Sequence, residues 1–115
     1  MSRLQKKVKL HFKLPTNYNN NTPIPDEIIK DVKNYFVDLY GGLTIDSPSV
    51  GFWDYNGFVY EDNVIEYSIF IKKDDFEHKF KQKIPQQITK FRKQFNQLEI
   101  LCYYHDVIST WNSRK

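Results

Sequence analysis

Lys9, His11 and Lys13 alternate with apolar residues near the start of the chain, and Tyr103 and His105 share the same two-residue spacing near its end. In an extended strand, side chains two apart share a face, so each group presents its polar atoms to one side. Ammonium and imidazolium groups give charge-assisted hydrogen bonds to phosphate, and tyrosine stacks on bases. A nucleotide is the natural ligand of such a set. Two histidines, His11 and His105, are also the residue types for metal-independent phosphodiester hydrolysis as acid and base, with Lys9 or Lys13 holding the charge.

Other chemistries have weaker footing. The histidines are far apart in sequence, there is no His-x-x-x-His or Cys-x-x-Cys, and His105 and Asp106 point to opposite strand faces, so no metal site is expected. No cofactor motif is present. Gly41-Gly42 follows an amphipathic helical pattern and fits a helix end, not a phosphate-binding loop. Cys102, the only cysteine, lies in an apolar run and reads as a buried thiol in a reducing compartment. His78 sits in a charged helical start and reads as solvated.

The elements that must position these residues follow from periodicity. Lys7 to Leu14 alternates strictly, with Val8, Leu10, Phe12 and Leu14 opposite the polar set, and predicts a half-buried strand. Residues 15–25, with three prolines and Asn19-Asn20-Asn21, predict a mobile loop. From Pro25, the stripe Ile28, Ile29, Val32, Tyr35, Phe36, Leu39 and Tyr40 predicts a helix capped by Gly41-Gly42. A strand follows from about Leu43, breaks near Ser47-Pro48 and resumes at Val50. Asn56-Gly57 then marks a type I′ hairpin turn, pairing Tyr55 with Phe58 and Trp53 with Tyr60.

Val64 to Lys72 reads as a strand. Asp74 to Gln97 reads as a helix that Pro85 must restart or kink. Glu99 to Ser109 reads as the last strand, with 1–6 and 111–115 as tails. This order is the βαββαβ pattern of a single α+β domain over residues 1–115: a ferredoxin-like, four-stranded antiparallel sheet with two helices on one face.

In that fold the first and third strands are central, so Lys9, His11 and Lys13 should stand beside Glu66, Ser68 and Phe70 on the face without helices. The last strand adds either Tyr103 and His105, or Cys102, Tyr104 and Asp106, according to a register that the sequence leaves open. The hairpin rings pose a second question of phase, because Tyr60 is even-numbered while the apolar Ile65, Tyr67, Ile69 and Ile71 are odd. The poor strand sequence Glu61-Asp62-Asn63 favours a one-residue bulge there, which would turn Trp53, Tyr55, Phe58 and Tyr60 to the core side. Without it they join the open face as an aromatic shelf.

The 115 residues suffice for one core, and the net charge of +3 permits an anionic partner without demanding one. No segment reads as a signal peptide or membrane span, which points to the cytoplasm. Asn and Lys in place of Ala suggest an AT-rich genome, such as that of a bacteriophage. Gly41-Gly42-Leu43-Thr44, Gly51-Phe52-Trp53, Gly57-Phe58-Val59-Tyr60 and Phe95-Asn96-Gln97 resemble small bacterial ferredoxin-like families of unknown function. That resemblance implies fold and carries over no functional residue.

The resulting expectation is a small non-enzymatic homodimer that binds or sequesters an anionic nucleotide-type ligand, a role that suits phage anti-defence. Lys9, His11, Lys13, Ser68, Tyr103, His105, Trp53 and Tyr60 are its candidate ligand residues. The rival readings are the His11 and His105 phosphodiesterase or nuclease and a protein-interaction adaptor working through the aromatic hairpin. Nucleic-acid binding is less favoured, since the glycine-aromatic signature of RNA-recognition domains is missing. The blandest alternative is a solvated or dimer-buried sheet face.

Overall fold

A computed structural model describes residues 2–112 and shows one antiparallel sheet covered on one face by helices. Strand β1 (Ser2–Pro15) is central and pairs with β4 (Phe58–Lys72) on one side and β5 (Leu101–Asn112) on the other. The far edge of β4 is shared by the short β2 (Thr44–Ile45) and β3 (Ser49–Tyr55). With β2 and β3 counted as one interrupted edge strand, this is the ferredoxin-like arrangement, and the α+β class stands as expected.

Helix α1 (Asp26–Tyr40) has acidic residues in its first turn and ends on Gly41, whose φ of 81° closes the left-handed cap from Gly41 N–H to Val37 C=O. The second helical region begins as α2 (Lys73–Asp75), widens into a π-helical turn at Phe76–Phe80, tightens at Lys81–Lys83 and restarts as α3 (Ile84–Gln94) with Pro85 in its first turn. Pro85 has no N–H to give to a preceding helical turn, so the restart falls where the sequence places it.

The core lies between these helices and the even face of β1. Val8, Leu10, Phe12 and Leu14 meet Tyr67, Ile69 and Ile71 of β4, with Val32, Phe36, Phe76, Phe91 and Phe95 above them. The rings of Phe12, Phe36 and Phe91 pack within 5.4 Å of one another between centroids. Gln87, buried among them, donates from Nε2 to Tyr40 Oη at 2.7 Å and ties α3 to α1.

Three expectations are corrected. First, β4 runs unbroken from Phe58 to Lys72, and Glu61, Asp62 and Asn63 pair in register with Phe52, Gly51 and Val50. The extra residue lies instead on the edge strand: between Ile45↔Tyr67 and Ser49↔Val64, three residues of the edge face two of β4. Pro48 cannot donate to a ladder, and an edge strand tolerates the interruption. Trp53, Tyr55, Phe58 and Tyr60 therefore keep the phase of Glu66 and Ser68 and do not enter the core.

Second, the expected tails are largely strand. Ser2 pairs with Asn112 and Lys6 with Ile108, so 2–6 and 111–112 extend the ladder of β1 and β5; Met1 and residues 113–115 lie outside the described residues. Third, β5 begins at Leu101, two residues after the expected Glu99. In the segment 16–25, which joins β1 to α1, Tyr18 N–H donates to Thr22 C=O, Asn17 and Pro23 form a bridge, and Asn21 takes a left-handed φ of 67°.

Candidate functional site

The register of β1 with its two neighbours decides which side chains meet. His11 stands opposite Ser68 on β4 and opposite Tyr103 on β5, while Lys9 stands opposite Phe70 and His105. The register left open by the sequence is thus resolved in favour of Tyr103 and His105 on the helix-free face. Tyr104 faces the helices, where its ring lies 4.7 Å from that of Phe76. Cys102 also turns to the core, and burial pushes its thiol up to about 12, which leaves it protonated and unsuited to nucleophilic work.

On the helix-free face His11 is only 4% exposed. The Tyr103 ring stacks on it nearly parallel at 4.3 Å, and the His105 ring lies 5.0 Å away. Glu66 connects the set: its Oε1 accepts from Tyr103 Oη at 2.6 Å, and its Oε2 lies 3.2 Å from His11 Nδ1, though not aligned as a hydrogen bond. On the opposite side of the ring, His11 Nε2 lies 2.9 Å from His105 Nε2.

Two imidazole nitrogens at that distance share one hydrogen. A carboxylate beside Nδ1 favours the proton there, so the network assigns His11 the Nδ1–H tautomer with a bare Nε2, which accepts from His105 Nε2–H. Glu66, His11 and His105 then form a polarised row with Tyr103 at its head. Glu66 and His105 meet opposite nitrogens of the His11 ring, and among the described residues no three metal-ligating side chains converge.

The electrostatics follow from burial and these partners. Desolvation holds the His11 pKa below its ordinary value; Glu66 opposes this, while Lys9 and His105 add to it. The hydrogen bond from Tyr103, with further help from His11 and Lys13, holds the Glu66 carboxyl below the usual range despite its partial burial. The same bond pushes the Tyr103 hydroxyl up to about 12.

Ser68 is 1% exposed, and its Oγ has no hydrogen-bond partner among the described residues. It lines a shallow cleft of about 220 Å³ with Tyr40, Gly42, Thr44 and Phe70, beside the His11 centre. Lys9 Nζ sits 5.2 Å from the centre of the exposed Phe70 ring. Lys13 pairs across the strands with Glu66 and Leu101. A larger recess of about 500 Å³, lined by Tyr18, Asn19, Asn20, Lys93, Gln94 and Asn96, lies at the turn before α1 and holds none of the sequence-based candidates.

Of the candidates, the fold brings together Lys9, His11, Lys13, Ser68, Tyr103 and His105. It does not bring Trp53 and Tyr60 to them, for Tyr60 is six residues from Glu66 along β4, about 20 Å in an extended strand. Those two rings stack on each other at 4.8 Å, with Trp53 Nε1–H donating to Asp62. Glu66, the residue that organises the centre, was placed on this face by alternation, but a single carboxylate in a strand gave no sign that it would accept from one neighbour and face another.

The class defined by this fold and site is a small ferredoxin-like α+β protein with a histidine and carboxylate centre on its uncovered sheet face. No family model and no curated protein matches the chain in sequence. Among solved structures it is similar to CutA from Synechococcus elongatus, at TM-score 0.61 and 11% identity over 93% of this chain and 85% of that one. It is also similar to the divalent ion tolerance protein CutA1 from Ehrlichia chaffeensis, at 0.59 and 11% over 96% and 88%. A phage SAM lyase in complex with S-methyl-5′-thioadenosine matches at 0.59 and 12% over 93% and 90%. Likeness at this identity concerns the fold alone. Among the described residues no helix is long and apolar enough to cross a membrane.

The lowered His11 pKa has a consequence for stability. As pH falls below about 6.5, the unfolded chain binds a proton at His11 before the folded chain does, so stability should decline with acidification from about pH 7.5 to 5.5. Glu66, also lowered, contributes in the same direction only nearer its ordinary value of 4.5. Urea midpoints across that window should show the decline, and His11→Gln should flatten it; an unchanged slope in the variant would contradict the buried, neutral histidine.

Proposed function

We propose that this protein is a small, cytoplasmic, non-enzymatic homo-oligomer that binds and sequesters an anionic nucleotide-type ligand at the His11 centre. The observation that carries the reading is Ser68: a hydroxyl buried on an otherwise uncovered sheet face, without a hydrogen-bond partner among the described residues, between the His11 centre and the exposed Phe70 ring. Buried hydroxyls are normally paired, so such a group is suited to a ligand atom. Phe70 offers a stacking surface, and Lys9 and Lys13 offer charge to a phosphate. The nucleoside bound by the structurally similar phage SAM lyase supports a ligand of this class on this fold. That neighbour and the Asn- and Lys-rich composition together favour a phage counter-defence role.

Calorimetry with adenine nucleotides and the uncharged S-methyl-5′-thioadenosine tests the reading. The nucleotides should bind more tightly, and Lys9→Ala or Ser68→Ala should weaken them about tenfold or more, the loss of one hydrogen bond to a charged group being about 1.5–3 kcal/mol. Absence of binding by every compound would refute it.

One distance favours a second reading. The 2.9 Å approach of the His11 and His105 nitrogens, with Glu66 behind His11, is an acid and base pair in which the carboxylate orients the imidazole. A metal-independent phosphodiesterase would use that pair on the same ligands. Turnover of a nucleotide panel in EDTA, abolished by His11→Ala, would establish it; its absence with binding intact leaves the non-enzymatic reading standing.

A further inference from the structure

The ribbon formed by β3 and the first part of β4 carries an unusual amount of exposed apolar surface. Trp53 is 46% exposed, Tyr55 58%, Phe58 67% and Tyr60 43%, and these four rings share one face of the ribbon; Phe52 and Val59 are exposed on its other face. Scattered exposed apolar residues are ordinary, but a contiguous ring-rich patch of this kind marks a contact surface. The helix-free sheet face is a second such surface, with Phe70, Leu101 and Tyr103 exposed around the polar centre.

Charge divides the two surfaces. From residue 34 to residue 71 the chain has no Lys or Arg, and the ribbon carries Asp62 on its aromatic face and Asp54 and Glu61 on the reverse, which makes the ribbon as a whole acidic. The face of β1 beside the centre carries Lys7, Lys9 and Lys13. An acidic aromatic ribbon and a basic, ring-edged sheet face are complementary in both charge and polarity. They cannot meet within one chain, because both lie on the continuous strand β4, held about 20 Å apart between Tyr60 and Glu66.

We propose that the aromatic ribbon of one copy of this chain docks across the helix-free sheet face of a second copy and roofs its His11 centre. Trp53 and Tyr60, remote from His11 within a chain, then reach the centre of the neighbour and supply a second stacking wall for a base held against Phe70. Each copy offers both surfaces, so the contact is between two different patches and closes as a reciprocal pair or a ring. The roofing role rests on the ligand reading above; the docking itself does not and is measured without ligand.

Sedimentation velocity on the full chain, at low and high salt, tests the docking. The wild type should self-associate, and salt should weaken the association, since the two surfaces attract by charge. Glu61→Lys with Asp62→Lys should weaken association at least tenfold, as should Lys9→Glu with Lys13→Glu, and all four substitutions in one chain should recover most of it. Phe58→Ser, at an exposed position that leaves the fold intact by circular dichroism, should also weaken it. In Trp111→Phe protein, acrylamide quenching of Trp53 should fall as concentration rises through assembly. A chain that remains monomeric at about 100 μM overturns the proposal. So does an assembly indifferent to both reversals, or a fourfold variant no better than either pair alone. If docking holds while every nucleotide fails to bind, the ribbon contact stands and only the roofing role falls.

Discussion

The structure depends on one constraint, the fixed registers of β1 between β4 and β5. Alternation buries the even side chains of β1 under the helices, and no slip by a single residue is tolerated because it would exchange Phe12 for His11 in the core. With that parity locked, the two ladders place Ser68 and Tyr103 on either side of His11. The polar centre is thus a consequence of core packing: rings on the helix side hold the strand, and the strand holds the histidine.

Glu66 makes the centre coherent. Its two oxygens face different partners, Tyr103 and His11, so one carboxylate fixes a ring stacked on the imidazole and the imidazole's own tautomer. The carboxylate is stabilised by those partners, while His11 is kept neutral by desolvation against the pull of Glu66. A neutral histidine with a bare nitrogen directed at His105 differs from two solvated lysine-flanked histidines on a strand. It is a preorganised hydrogen-bonding group, and the flanking lysines supply the charge that it does not carry.

Much of this was legible in the sequence because it follows from short-range rules. Strict alternation from Lys7 to Leu14 identified both the core side and the polar side of β1. Asn56-Gly57 located the hairpin, with Asn56 and Gly57 both at positive φ, and Pro85 located the restart of the last helix. What was not legible depended on pairing between distant segments. Whether Tyr103 or Tyr104 would face His11 is a matter of register across about ninety residues, which no local pattern encodes. The phase of the hairpin rings was misjudged because Glu61-Asp62-Asn63 has poor strand propensity, yet a two-stranded ribbon outside the core exposes those polar groups to water at little cost. The unpartnered Ser68 hydroxyl is likewise a three-dimensional fact, for it depends on what the neighbouring strands fail to offer.

The central claim is that His11 is a buried, neutral imidazole held as the Nδ1–H tautomer by Glu66, with its unprotonated Nε2 accepting from His105. Nitrogen-15 NMR of imidazole-labelled protein near neutral pH measures this directly. The account requires one histidine with a protonated Nδ1 and an unprotonated Nε2, lost as a signal in His11→Gln and shifted toward the other tautomer in Glu66→Gln. A His11 found as the Nε2–H tautomer, or titrating like a solvent-exposed imidazole, would contradict it.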